Sequence, residues 1–377
     1  MDLTELIDDT RELVGCESPS SDLAAVARSA EVVARVGERR LGVAPERIVI
    51  DGRTHLRWRL GSGPSRVLLV GHHDTVWPLG SLETHPCTVE GGVLRGPGCF
   101  DMKAGLAMMF HAVAGLEHPE GVTLLVTGDE ELGSPSSRQL IEDEARAAEA
   151  ALVLEASGDG GALKTERKGV SLYDVLVLGR AAHAGLEPEN GVNATVELAH
   201  QVLVVSALGR QDTGTTVTPT ASGSGTTTNT VPADGSFAVD VRVRTIEEQV
   251  RVDRAMRSLR PVLPGAVLDV DGGPNRPPLE AAASAVLFDR ACALAVRLGL
   301  PAPTSAAVGG ASDGNFTAGV GTPTLDGLGA VGGGAHADDE HVLVDELPGR
   351  TVLLGALVAD LLAQPTNHLL TTGAGRP

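Results

Sequence analysis

The first part of the chain alternates between amphipathic stretches and short apolar runs. Apolar residues recur at helical spacing in 3–14 and 22–40, which predicts two helices. Three apolar runs of strand length follow at 66–70, 122–126 and 150–154. Their length and branched side chains are typical of strands that are buried on both faces of a sheet. The alternation predicts an α/β fold.

Each apolar run is followed by histidine or acidic residues. His72 and Asp74 come after the first run, the acidic segment 129–131 (DEE) after the second, and Glu155 after the third. Ligands of open α/β sheets bind at the carboxyl ends of parallel strands. The sequence therefore predicts that these side chains share one site.

A further acid, Asp101, lies in the glycine-rich segment 96–105 just before a predicted helix at 106–114. A carboxylate at a helix start can simply cap free backbone N–H groups. Because the residues near it are of types that bind metal ions, we favour a role for Asp101 in the predicted site over that of a plain helix cap.

The pattern of hydrophobic and polar residues changes near residue 169. Strand patterns at 170–178 and 236–243 flank a helical pattern at 191–208, which predicts a small α+β sandwich. The Thr/Gly/Ser-rich stretch 213–230 has a linker-like composition, but its position inside this unit favours a strand plus a loop.

Helical patterns resume at 281–298 and 347–363, so the second domain is predicted to be inserted into the first. With 377 residues, the chain exceeds what one hydrophobic core usually serves. We expect one domain built from 1–168 and 279–377, and an inserted domain at 169–278. Residues 364–377 are expected to form a frayed tail.

Charge and composition exclude several classes of partner. With 49 acidic against 30 basic residues, the formal net charge is −19, which argues against nucleic acid and anionic lipid surfaces. No apolar run approaches the roughly 18 residues of a membrane span, and the first residues lack the pattern of a signal peptide. We expect a cytoplasmic protein with no nucleic-acid or membrane partner.

The acids and histidines named above are of the residue types that bind divalent metal ions. A two-metal site needs oxygen and imidazole ligands and a carboxylate that bridges ions about 3.5–4 Å apart. Five residues are candidates for such a site: His72, Asp101, Glu131, Glu155 and His336.

Seven segments, in this order and spacing, resemble the M20 zinc metallopeptidases, and within them the glutamate carboxypeptidase (carboxypeptidase G2-like) branch. The resemblance covers nearly the whole chain. It implies a zinc-peptidase-like catalytic domain with a mixed sheet flanked by helices, and an inserted lid and dimerisation domain. The segments are 71–80 (GHHDTVWPLG), 96–105 (GPGCFDMKAG), 129–131 (DEE), 154–155 (LE), 180–185 (RAAHAG), 309–313 (GGASD) and 334–338 (GAHAD).

The resemblance also implies roles for the candidate ligands. It makes Asp101 the bridge between two Zn²⁺ ions, with His72 and Glu155 on one ion and Glu131 and His336 on the other. Co²⁺ or Mn²⁺ would accept similar ligands.

Two acids beside the ligands receive catalytic roles from the same resemblance. Glu130 is the general base that takes a proton from the metal-activated water and passes it to the leaving amine. Asp74 orients the imidazole of His72 and raises its basicity.

Three residues of the inserted domain are implied to contact the substrate. His183 stabilises the oxyanion, often across a dimer, and closure of the two domains brings it in. Asn229 and Arg276 hold the carboxylate of the substrate. A homodimer formed through the inserted domain is therefore expected.

The expected reaction is hydrolysis of an amide next to a free carboxylate, with a small peptide or an N-acyl amino acid as substrate. The segments 77–80 and 185–189 favour the carboxypeptidase branch. One alternative is an N-acyl-amino-acid deacylase, of the deacetylase, desuccinylase or aminoacylase type, which could serve a specialised pathway. A second is a non-catalytic relative that binds a metal or a ligand.

Overall fold

The computed structural model describes residues 2–364 and divides the chain into two compact units. Unit 1 comprises Met1–Glu166, Leu279–Val308 and Ser312–Pro377, and unit 2 comprises Arg167–Pro278 and Gly309–Ala311. The assignment of unit 1 to catalysis and of unit 2 to lid and dimer contacts stays a prediction. The predicted frayed tail lies, apart from Gln364, outside the described residues.

Ten helices lie between residues 2 and 364, and the six that the sequence predicts begin and end within three residues of the predicted positions. In chain order the ten helices are α1 (Leu3–Val14), α2 (Leu23–Leu41), α3 (Ser81–Thr84), α4 (Ala104–Ala114), α5 (Arg138–Ala147), α6 (Ala194–Ser206), α7 (Ile246–Arg257), α8 (Ala281–Arg297), α9 (Gly314–Gly319) and α10 (Leu347–Ala363).

The longest strands of the same region, with nine or ten residues, belong to unit 2. In chain order the strands are β1 (Glu46–Ile50), β2 (Arg53–Arg59), β3 (Val67–His72), β4 (Thr88–Glu90), β5 (Val93–Arg95), β6 (Val122–Thr127), β7 (Ala150–Val153), β8 (Leu163–Arg167), β9 (Gly169–Leu178), β10 (Ala182–His183), β11 (Thr216–Ser224), β12 (Thr230–Val231), β13 (Asp234–Val243), β14 (Val267–Arg276), β15 (Ser305–Val308), β16 (Thr324–Leu325), β17 (Gly332–Gly333) and β18 (His341–Leu343).

A mixed six-stranded sheet forms the centre of unit 1. Its order is β1-β2-β6-β3-β7-β16, and the four strands β6, β3, β7 and β16 run parallel. The three predicted buried runs are β3, β6 and β7, and every residue of these strands is buried. The α/β fold with a mixed sheet flanked by helices is confirmed.

Helices cover both faces of this sheet because its central strands are apolar on both sides. Leu69 faces one core, which includes residues of α1, α2, α4, α8 and α10. Leu68 and Val70, one residue away on either side, face the other core, together with Ile141 of α5 and Phe316 of α9. The apolar α4 lies within the first core, and its residues 104–113 are all buried.

Unit 2 is built on an antiparallel four-stranded sheet of order β11-β13-β9-β14. Alternate residues of β9 are buried, and Tyr173 and Val175 pack with side chains of β13, α6 and α7. On the opposite face, Leu172 and Leu176 are exposed. The predicted α+β sandwich is confirmed, and residues 213–230 contain β11 followed by a loop, as expected.

Among residues 2–364, no helix is both long enough and apolar enough to cross a membrane.

Candidate metal centre

Three neighbouring parallel strands deliver four of the site residues to one edge of the sheet. His72 is the last residue of β3, Glu130 and Glu131 form a turn just after β6, and Glu155 follows β7 by two residues. Their side chains are mostly buried, with 1% of His72, 7% of Glu130 and 6% of Glu155 exposed. The structure therefore brings together the side chains at the strand ends, and their role in a site stays a prediction.

Two glycines allow the segment that carries Glu155 to approach its neighbours closely. A Cβ atom on Gly105 would lie 2.2 Å from the carbonyl oxygen of Leu154, and one on Gly329 would lie 2.3 Å from the same atom. A side chain at either position would therefore displace the backbone next to Glu155.

Asp101 enters the site from the turn Cys99–Lys103, which precedes α4. Its backbone is not helical, with φ −116° and ψ 96°, and the start of α4 has no side-chain cap. The alternative of a plain helix cap is therefore wrong. The carboxylate of Asp101 instead faces two histidines.

His336 comes from a loop after β17 and has a positive φ of 62°. Its Nε2 atom lies 3.5 Å from Asp101 Oδ2 and 3.2 Å from Glu131 Oε1. His72 faces the other oxygen, with its Nε2 atom 3.3 Å from Asp101 Oδ1 and 3.5 Å from Glu155 Oε1. The two oxygens of Asp101 thus face different histidines, which is the geometry of a bridging carboxylate.

These distances fit metal ligands. Two donor atoms that each lie about 2.1 Å from a tetrahedral ion are separated by about 3.4 Å. The four distances above lie between 3.2 and 3.5 Å. In addition, ligand atoms of His72, Glu130 and Glu155, and of His72, Asp101 and Glu131, lie within 4.8 Å of one another. The donor set is one of imidazole nitrogens and carboxylate oxygens, which bind Zn²⁺ and other divalent metal ions.

Asp74 holds three of these residues in place. The ring Nδ1 of His72 donates to the backbone carbonyl of Asp74 at 2.9 Å, and Asp74 Oδ1 lies 3.5 Å from the same nitrogen. Since Nδ1 carries the proton, Nε2 of neutral His72 presents its lone pair to the site. The Asp74 carboxylate also accepts the backbone N–H groups of Glu130 and Glu131, both at 3.2 Å. Its contacts therefore extend beyond the predicted orientation of one imidazole.

The crowding of carboxylates shifts the proton affinities of both histidines. Burial opposes a charge on His72, but hydrogen bonds to Asp101, Asp74 and Glu155 outweigh it and raise the pKa of His72 well above its usual value. Hydrogen bonds to Asp101 and then to Glu131 raise the pKa of His336 to about 10. Burial raises the pKa of Glu131. The site therefore attracts positive charge, either protons or metal ions.

We expect metal binding to release protons. At pH 7 the metal-free protein holds a proton on His336, whose pKa is about 10, and on His72, whose pKa is also raised. Neutral imidazole is the form that binds a metal, so the apparent Zn²⁺ affinity rises about tenfold per pH unit for each proton displaced. Calorimetric titration with Zn²⁺ in buffers of different ionisation enthalpy measures this release. Binding heats that do not depend on the buffer would contradict it.

Three buried acids around the site had no predicted role. Asp129 accepts hydrogen bonds from the backbone and hydroxyl groups of Ser136 and Ser137. Asp313, inside the segment 309–313, accepts a hydrogen bond from Thr127. Glu340 accepts hydrogen bonds from the backbone of the Asp101 segment. The only sequence signal for Glu340 was the acidic run at 338–340 after His336.

The three residues that are predicted to contact the substrate all lie in unit 2. His183 in β10 pairs with Thr230 of β12, and the carbonyl of Asn229 accepts the N–H of Ala184. These two residues are therefore neighbours. Arg276 lies elsewhere in the unit, at the end of β14 opposite Val170.

The match to a known family agrees with this geometry. Residues 68–360 match the model of peptidase family M20/M25/M40. The chain belongs to this family. The predicted M20 metallopeptidase is thereby confirmed, and this M20 protein carries its candidate metal centre within the matched region.

Individual relatives have different activities. Carboxypeptidase G2 from Pseudomonas sp. is 32% identical over 289 residues, which cover 73% of this chain and 69% of the relative. Succinyl-diaminopimelate desuccinylase from Wolinella succinogenes is 28% identical over 293 residues, which cover 74% of this chain and 79% of that enzyme. The predicted likeness to carboxypeptidase G2 is confirmed.

Solved structures show the same fold. Aminopeptidase PepT from Bacillus cereus superposes with a TM-score of 0.73 at 22% identity, covering 96% of this chain and 99% of that one. The YXEP protein of Bacillus subtilis, described as a dinuclear metal-binding peptidase of the M20 family, gives a TM-score of 0.65 at 15% identity, covering 96% and 98%.

Proposed function

We propose that this M20 protein is a di-zinc hydrolase that cleaves an amide bond next to a free carboxylate, in the manner of a glutamate carboxypeptidase. The observation that carries the proposal is the placement of Asp101, whose two oxygens face His72 and His336 with Glu131 and Glu155 beside them. The protein family and the identity to carboxypeptidase G2 support it.

The metal ions, when bound, supply Lewis acidity that polarises a carbonyl group and lowers the pKa of water. Proton transfer is carried out by a side chain of the protein. Glu130 accepts a proton from the attacking water, whose oxygen forms the new bond to the carbonyl carbon. When the carbon–nitrogen bond breaks, Glu130 returns this proton to the departing nitrogen, so the products are a carboxylic acid and an amine. Transfer of the second water proton from the acid to the amine then gives a carboxylate and an ammonium group.

Two features fit Glu130 for this role. Its carboxylate lies in the same group of ligand atoms as those of His72 and Glu155. Its backbone N–H donates to Asp74, the residue that also fixes the ring of His72. The base and a metal ligand are therefore held by one buried side chain.

In the proposed enzyme, His183 donates to the oxyanion, and Asn229 and Arg276 bind the substrate carboxylate. Gly185 N–H donates to His183 Nδ1 at 3.1 Å, so neutral His183 carries its proton on Nε2, where it can act as a donor. Arg276 offers a planar guanidinium suited to a bidentate carboxylate contact.

We also propose that the enzyme works as a homodimer. Arg276 pairs with Val170 at one end of β9, whereas Leu178, at the other end, precedes the segment that carries His183. The two ends are about 27 Å apart at 3.4 Å per residue. One copy of unit 2 therefore does not place both residues at one substrate, and a second copy supplies the missing one. Exposed apolar side chains of α6, among them Val196, Leu203 and Val204, support such a contact.

Mixing two inactive variants tests this shared site. We expect the Glu130→Ala and His183→Ala proteins to be inactive alone but to regain activity after subunit exchange. A hybrid dimer has one site with both changes and one with neither. Random exchange gives half hybrids, so the mixture reaches about a quarter of wild-type activity. Native mass spectrometry confirms the hybrids, and hybrids without activity would contradict the shared site.

The proposed reaction is tested with a panel of substrates. We expect release of the free amino acid from acyl-glutamates and C-terminal dipeptides, and a rate about 100-fold or more lower when the free carboxylate of the substrate is replaced by an amide. Equal rates for the acid and the amide would contradict the proposal.

The second candidate is an N-acyl-amino-acid deacylase, favoured by the identity to the Wolinella desuccinylase. N-acetyl and N-succinyl amino acids in the same panel separate the two functions, because a deacylase hydrolyses these much faster than dipeptides. Either enzyme acts on small molecules, and the cytoplasmic location stays a prediction.

A further inference from the structure

We propose that Glu340 is a positioning residue that fixes the backbone of the Asp101 segment, so that both oxygens of Asp101 can reach metal ions. The inference rests on the proposed function, because it concerns the same metal centre. It assigns a role in metal binding to a residue that is itself no ligand.

Glu340 is a buried carboxylate with four donors. Only 3% of the residue is exposed. Its Oε1 atom accepts the backbone N–H groups of Phe100 at 2.9 Å and of Asp101 at 3.0 Å. Its Oε2 atom accepts the backbone N–H of Gly98 at 2.9 Å and the indole N–H of Trp77 at 2.7 Å. Both oxygens are thus engaged in two bonds each.

These bonds connect three segments that each carry a metal ligand. Trp77 follows His72 by five residues, Gly98 to Asp101 form the turn of the bridging ligand, and Glu340 follows His336 by four residues. Because Glu340 contacts backbone N–H groups, it fixes the course of this turn whatever side chains the turn carries. Outer residues that orient ligands commonly contribute a factor of 10 to 100 in metal affinity.

The backbone of the Asp101 segment needs such a partner. Between Cys99 and Lys103 the residues Asp101 and Met102 have non-helical dihedral angles, so their N–H groups do not follow a regular helical ladder. A carboxylate with two acceptor oxygens binds several N–H groups that point to one place, and charged acceptors form the stronger hydrogen bonds. A neutral side-chain amide cannot replace this carboxylate, because the NH₂ group of the amide would face N–H groups that are themselves donors.

The test uses one variant and two matched controls. Glu340→Gln keeps the size of the side chain and removes two of the four acceptor contacts. Trp77→Phe removes the indole donor alone and keeps the three backbone contacts. Val342→Ala shortens a fully buried side chain in β18, two residues from Glu340, and reports the effect of lower stability alone.

The readouts are Zn²⁺ affinities, from competition with a coloured chelator, and the visible spectrum of the Co²⁺-loaded protein. We expect Glu340→Gln to weaken the affinity of both sites about 10- to 100-fold and to change the Co²⁺ spectrum. Trp77→Phe is expected to stay within about threefold of wild type. Val342→Ala is expected to lower the melting temperature while its affinities and spectrum match the wild type.

Wild-type affinities and an unchanged spectrum in Glu340→Gln would overturn the inference. If that variant does not fold, Glu340→Asp provides the second measurement, since it keeps the charge and shortens the reach, and wild-type affinity there would also overturn it. Failure of the proposed function gives a different result: the wild-type protein binds two metal ions, Glu340→Gln binds them weakly, and neither hydrolyses any amide in the panel.

Discussion

Turnover falls about 10²- to 10⁴-fold when Glu130 is replaced by alanine, while the metal content stays at the wild-type value. In the proposed reaction Glu130 accepts and returns the proton, whereas the roles proposed for His72 and Glu155, which lie beside it, are those of metal ligands. Removing its carboxylate therefore slows the chemical step and leaves the metal ions bound. The measurements are kcat on an acyl-glutamate and elemental analysis of the same sample.

A matched control separates this effect from a general change in charge. Glu117 is an exposed glutamate, with 92% of its side chain accessible, and Glu117→Ala should behave as the wild type. Glu130→Ala protein with unimpaired kcat would remove Glu130 as the base. A parallel loss of metal would instead make Glu130 a ligand.

Replacing Asp101 by alanine removes both metal ions and lowers kcat about 10⁴-fold or more, because the Lewis acidity of the site contributes several kcal/mol to catalysis. The reason is geometric: one oxygen of Asp101 faces His72 and the other faces His336. Loss of this side chain leaves each site without the ligand that both share.

The matched variant for Asp101 is Glu155→Ala. In the proposed centre Glu155 and His72, whose ligand atoms are 3.5 Å apart, bind the same ion, so the loss of Glu155 is expected to empty one site and to leave about one metal ion per chain. Elemental analysis after dialysis gives the numbers for both variants. Equal metal contents in Asp101→Ala and Glu155→Ala would show that Asp101 does not bridge.

Much of the metal centre follows from local sequence patterns. Apolar runs ending in His72, Glu130 and Glu155 predicted strands whose carboxyl ends meet, and the parallel order β6-β3-β7 brings these ends together. The run length and the side-chain types were sufficient, because each strand and its functional residue are contiguous in the chain.

Long-range partners could not be predicted in the same way. Glu340 and Asp101 are separated by 239 positions, and nothing in an acidic run tells which backbone groups it will bind. Asp101 and His336 likewise lie in irregular turns, where periodicity carries no information, and their roles came from the resemblance to a family. Local pattern identifies elements, while the contacts between loops depend on the complete fold.

The pairing register of the strands in unit 2 could not be predicted from the sequence either. The strand patterns at 170–178 and 236–243 were correct, but they do not tell which end of β9 lies near Arg276 and which near His183. The pairing of Arg276 with Val170 answers this, and it leads to the proposal of a shared site.

The most direct test of the di-metal hydrolase is the number of metal ions per chain measured together with turnover. Protein loaded with Zn²⁺ and freed of excess metal is analysed for zinc and assayed on an acyl-glutamate, before and after treatment with a chelator. The account predicts about two zinc ions per chain, loss of amino-acid release with the chelator, and recovery when Zn²⁺ is restored. A protein that takes up no zinc, or that hydrolyses the substrate equally well without it, would contradict the account.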